Sequence, residues 1–91
     1  MNKLLEERKK THGDFKVNAA ISQDLKTVLH RKIVLDYVLK EALDNIAQKL
    51  ARIIAGNPHE LDHWRDVIGY SQLALNYLQD KKEKEYGYTQ L

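Results

Sequence analysis

Acidic, imidazole and aromatic side chains crowd one stretch of the chain, Asp62-His63-Trp64-Arg65-Asp66-Val67-Ile68-Gly69-Tyr70. At helical spacing they fall within about two turns, with His59, His63, Asp66 and Tyr70 on one stripe. Upstream, Glu41, Asp44, Gln48 and Arg52 recur at steps of three or four, with Asn45 and Lys49 beside them. If the two segments are antiparallel neighbours, the carboxylates of Glu41, Asp44 and Asp66 converge. Magnesium, or manganese in its place, takes oxygen ligands from a few carboxylates plus water and phosphate. The chemistry of such a group is phosphoryl or pyrophosphoryl transfer, with the metal bridging phosphate oxygens and activating water. The plainer reading is two solvated helix faces laced by pairs such as Asp62–Arg65 or Asp44–Gln48. Spacing alone favours the plainer reading.

His59-Glu60-Leu61-Asp62-His63 also spells His-Glu-x-x-His, the zinc pattern in which Glu60 would be the general base. It sits in the first turns after a proline, the chain is small for a substrate cleft, and short motifs recur by chance. A zinc peptidase is therefore not the preferred reading. Trp64 falls on an apolar stripe and is expected in the core, with base stacking as its functional alternative. Tyr70 lies off that stripe and is expected to face a pocket or an interface. Gly69 inside a helix costs about 1 kcal/mol relative to alanine, which suggests close approach of another helix or a ligand. Glu7, Arg8, His12 and Asp14 bracket an early turn that is either simply capped by Asp14 or closes over a phosphate-bearing ligand.

Composition narrows the classes. The 91 residues make one domain, and 15 basic against 13 acidic residues leave a formal charge of +2. That balance, without aromatic interleaving of the basic clusters, does not predict nucleic-acid binding. There is no cysteine, which removes disulfides and thiolate chemistry. No apolar run approaches the roughly 20 residues of a membrane span, and residues 1–8 carry no signal-peptide stretch. A cytoplasmic protein is expected.

The elements that must position these residues read as helices. Residues 3–10 form a short first helix, broken at Thr11-His12-Gly13-Asp14, with Asp14 capping a second helix over 15–30. That helix places Phe15, Val17, Ala20, Ile21, Leu25, Val28 and Leu29 on one side. Ile33-Val34 is a short extended piece or the start of the next helix. Over 36–55, Leu39, Leu43, Ile46, Leu50 and Ile53 make a continuous stripe, ended by Gly56 as a left-handed cap. Asn57 and Pro58 then start a fourth helix over 58–83, whose Leu61, Trp64, Ile68, Ser71, Leu75 and Leu78 repeat the three-four pattern. Residues 84–91 read as a loose tail. The expected fold is all-α, a small bundle of three to four helices with the third and fourth an antiparallel hairpin. A chain this short buries only roughly 60–65% of its unfolded surface, so a homo-oligomer is expected to complete the core.

Three blocks carry a resemblance: Glu7-Arg8-x-x-Thr11-His12-Gly13-Asp14-Phe15; Glu41-Ala42-Leu43-Asp44-x-Ile46-Ala47-x-Lys49-Leu50-Ala51-Arg52-Ile53; and Asp62-His63-Trp64-Arg65-Asp66-Val67-x-Gly69-Tyr70. Over residues 4–78 the chain resembles a family of small uncharacterised phage and prophage proteins. More distantly it resembles the MazG-like all-α nucleoside triphosphate pyrophosphatases, which hold magnesium with Glu-x-x-Glu on one helix and Glu-x-x-Asp on the next. The resemblance implies that Glu41, Asp44 and Asp66 hold Mg2+, with Glu41 and Asp66 catalytic. Nucleotide contacts would come from Arg8, His12, Asp14, Lys49, Arg52, Trp64 and Tyr70, in a host-cell cytoplasm. His63 stands where the family has a glutamate, and imidazole is a poor magnesium ligand. That departure favours the alternative, a non-catalytic protein that sequesters a nucleotide or grips a host protein through Trp64, Tyr70, Tyr77 and the Tyr86–Tyr88 tail.

Overall fold

The computed structural model describes residues 3–31 and 36–86, with the side chains of 85 and 86 left undescribed. Four helices follow in order: α1 (Lys3–His12), α2 (Phe15–Leu29), α3 (Tyr37–Ala55) and α4 (Leu61–Tyr86). No strand occurs among the described residues, and the fold is the expected small all-α bundle. The Ile33-Val34 reading and residues 87–91 of the tail lie outside the described residues.

The helix ends follow local chemistry. Asp14 caps α2, its carboxylate accepting from the Lys16 amide at 3.0 Å. Asp36 does the same for α3, accepting from the Leu39 amide at 2.9 Å. Gly56 closes α3 through its amide to the Arg52 carbonyl, but at φ −113° it is not the left-handed cap expected. The left-handed glycine is Gly13, φ +82°, in the α1–α2 turn. Asn57 accepts from the His59 amide at 2.9 Å, yet α4 starts only at Leu61, three residues later than the proline suggested. Residues 57–60 are spent on a turn that docks against Thr11.

Helix α3 lies between α2 and α4 and packs on both, whereas α2 and α4 do not meet. Small side chains allow this: Ala42, Ala47 and Ala51 are the buried apolar residues. The leucine and isoleucine stripe of α3 is only half-buried. On α2 the inward face is Asn18, Ser22, Leu25 and Leu29, while Phe15 is 85% exposed and Val17 and Val28 are also exposed. Of the expected α2 face, Ile21, Leu25 and Leu29 are sheltered, and Asn18 and Ser22 take the inward positions beside them. On α4 the sheltered side is His63, Val67, Tyr70, Ala74 and Tyr77. The Leu61, Trp64, Ile68, Leu75 and Leu78 stripe is left between 44% and 68% exposed, so Trp64 is not a core residue of this chain. Its indole N–H donates to the Pro58 carbonyl at 2.8 Å.

The result is a flat, open layer measuring 57 × 30 × 20 Å. Its radius of gyration, 16.6 Å, exceeds the roughly 12 Å of a compact chain of this length.

Candidate functional site

Two of the sequence blocks and the intervening Gly56-Asn57 meet at one end of the layer. The Thr11 carbonyl accepts the Asn57 amide at 3.1 Å and the Nε2–H of His63 at 2.7 Å. A carbonyl can only accept, so the His63 proton on that side sits on Nε2. His63 is 2% exposed, and its ring lies 5.1 Å from the ring of His12, tilted by 50°. The backbones of the turn and of the α3 end touch directly. A Cβ on Gly13 would stand 2.4 Å from the Ala55 carbonyl oxygen, and one on Gly56 would stand 2.4 Å from that of Thr11. Asn18 closes the back of the turn by donating to the His12 carbonyl at 2.8 Å.

This junction settles the imidazoles. His63 ties α4 to the α1–α2 turn, and His59 precedes the helix altogether. The His-Glu-x-x-His pattern therefore does not lie on one helix and presents no zinc pair.

The acids go to separate partners. Asp44 meets the His30 imidazole at 2.7 Å, reaching α2 rather than the expected Gln48. Asp66 pairs with Lys49 at 3.1 Å across the α3–α4 contact. Glu41 accepts from Asn45 at 3.0 Å on the exposed face of α3. Asp62 pairs with Arg65 at 3.1 Å, as the plainer reading had it. Among the described residues no group of three His, Asp or Glu is placed to hold a metal ion. The donor set expected for magnesium does not fit a metal within one chain.

What the fold does build is a cleft of ≈ 590 Å³ between α1, α2 and α3. Arg8 and Lys9 of α1, Lys26 of α2 and Arg52 of α3 line it, with His12 at the turn. Asp14 is the one carboxylate among the lining residues, and it is engaged as the α2 cap. None of the four cations has an ion-pair partner among the described residues. Asn18, Ser22, Gln23 and Gln48 add hydrogen-bonding groups, and Leu5 and Phe15 give an apolar lip. His12 is held below the ordinary histidine value, first by burial and then by the positive charges of Arg52, His63, Lys49 and Arg8.

Comparison of the chain with family models, curated proteins and solved structures returns no match.

Of the residues expected to contact a nucleotide, Arg8, His12, Asp14 and Arg52 come together in this cleft. Lys49 is taken by Asp66, and Trp64 and Tyr70 sit on α4, away from it. Sequence reasoning missed Lys9, Lys26, Ser22 and Gln48 as wall residues. Lys26 had a signal, since Ser22 and Lys26 are four apart on one face of α2. A second missed contact is Asp36, which accepts from the Tyr77 hydroxyl at 3.0 Å and sees Lys81 at 3.8 Å. The Leu39 amide first, then Tyr77 and Lys81, hold its carboxyl below the usual range. It clamps the start of α3 to the distal half of α4.

Proposed function

We propose that the protein binds a phosphate-bearing small molecule, of which a nucleotide is the best-fitting class, in the cationic cleft between α1, α2 and α3. The observation that carries this reading is four cations, without ion-pair partners among the described residues, converging on a cleft with one carboxylate among its lining residues. Like charges held together raise the free energy of the empty site, and a polyanion relieves it. Arg8 and Arg52 offer planar forks suited to two phosphate oxygens, and Lys9 and Lys26 add point charges. Phe15 at the rim is an apolar surface for a base or another flat group. The resemblance to MazG-like proteins supplies the nucleotide class.

Sequestration is favoured over pyrophosphohydrolysis. Glu41, Asp44 and Asp66 each face a different partner, and among the described residues no group of acids is assembled to place a metal beside a phosphate. The chain's own residues then bind and orient, and no step of bond cleavage is assigned to them.

Titrating the protein with nucleoside mono-, di- and triphosphates tests the reading. Affinity should rise with phosphate count, fall with added salt, persist in EDTA, and drop at least about tenfold in Arg52→Ala, as expected for a lost charged hydrogen bond. Absence of binding to the whole panel defeats it. Magnesium-dependent pyrophosphate release that disappears in Asp66→Ala would restore the hydrolase instead.

A further inference from the structure

The apolar stripe that α4 turns away from its own chain has a regular period. Leu61, Trp64, Ile68, Ser71, Leu75 and Leu78 follow at steps of three and four, the seam of a coiled coil. All six are exposed in the single chain. At 3.6 residues per turn the stripe lies roughly 110° around α4 from the side that faces α3, so a further helix can lie along it without displacing α3. Monomers rarely leave so long an apolar strip in water.

We propose that a second copy of this chain covers the strip, through antiparallel pairing of the two α4 helices about a twofold axis near Gly69-Tyr70. The register follows from the sequence of the strip. Pairing Leu61 with Leu78 of the second copy, Trp64 with Leu75 and Ile68 with Ser71 fills every layer, and the small serine faces the large isoleucine next to the axis. Each layer recurs by symmetry, as a self-complementary interface requires. A parallel pair would continue the seam to Lys82 against Lys82 and align the helix dipoles, and both effects repel. The two α3–α4 hairpins then form a four-helix arrangement, and the flat layer acquires a second side.

Light scattering after size exclusion reads the assembly state, and the absence of cysteine makes introduced thiols unambiguous. The expected mass is twice the 10.6 kDa of one chain, reduced to a single chain by Ile68→Glu or Leu75→Glu with helicity retained. Should those variants lose helicity, crosslinking decides. Leu61→Cys chains mixed with Leu78→Cys chains and mildly oxidised should give covalent pairs, whereas Leu61→Cys chains alone should not. A single-chain mass at micromolar concentration overturns the proposal. So does a double mass that neither glutamate variant changes, or equal crosslinking by Leu61→Cys alone.

Discussion

The two ends of α4 are held in opposite ways. Its first turns are locked, with His63 donating to the Thr11 carbonyl and the Gly13 and Gly56 backbones pressed against each other's segments. Farther along, the helix is steadied by Asp36 through Tyr77 and Lys81, and its apolar strip stays uncovered. The locked end uses polar and glycine residues to make a tight joint. The apolar strip, which runs from Leu61 to Leu78, is left about half exposed in the single chain. In this protein, therefore, polarity does not mark the surface, and hydrophobic period does not mark the core. Each marks a contact whose partner has to be found.

Breaking the joint should have the largest effect. Gly13→Ala must place a methyl on a backbone oxygen in a left-handed conformation, and Gly56→Ala meets the Thr11 carbonyl in the same way. Each should lower stability by about 3–4 kcal/mol, seen as a shift of the urea midpoint. His63→Ala comes next. It deletes a buried ring and leaves the Thr11 carbonyl with one donor, so a loss of about 2–3 kcal/mol is expected. If either glycine variant proves as stable as the parent, the joint is not the rigid element described.

The helical layer was largely legible, because the three-four periods of α3 and α4 and the Asp14 cap are local signals. The joint was not. Thr11-His12-Gly13 and Gly56-Asn57 are far apart in the chain, and nothing local announces that one carbonyl will take donors from both Asn57 and His63. His63 was readable as a metal ligand because a buried structural imidazole and a coordinating one look alike in sequence. The acids misled for the same reason: Asp44 and Asp66 have helical spacing, but the partners that claim them, His30 and Lys49, come from across a helix contact. Part of the cleft, the Arg8, His12, Asp14 and Arg52 set, could be anticipated. Lys9 and Lys26 could not, since which of the scattered lysines converge depends on how α1 and α2 lean on α3.

A smaller effect sharpens the comparison at the cleft. His12 is held below the ordinary histidine value in the folded chain, so near pH 6.5 and below the unfolded chain binds the extra proton first. Its contribution to stability is thus present above the unfolded value and lost as pH falls through it toward the lowered folded value. The urea midpoint should drop from pH 7.5 to 5.5, and by less in His12→Gln. An anion in the cleft would offset the charges of Arg52 and Arg8 that depress His12, so binding should take up a proton. Phosphate affinity should then increase as pH falls over the same range, and an opposite trend would separate His12 from the ligand.

The smallest effect comes from the third glycine, and it has the opposite sign. Gly69 suggested a close helix approach, yet nothing lies within 4 Å of where its Cβ would be. It also lies off the apolar strip, near Asp62, Asn76 and Asp80 on the outer side of α4 by helical geometry. Neither its own chain nor an antiparallel second copy needs that space. Gly69→Ala should therefore stabilise the helix by about 0.5–1 kcal/mol, with the assembly state and phosphate binding unchanged. A destabilised Gly69→Ala, measured beside Gly13→Ala in the same urea titration, would mean that a body packs on the outer side of α4. The partner helix would then have to be placed there rather than along the Leu61–Leu78 strip.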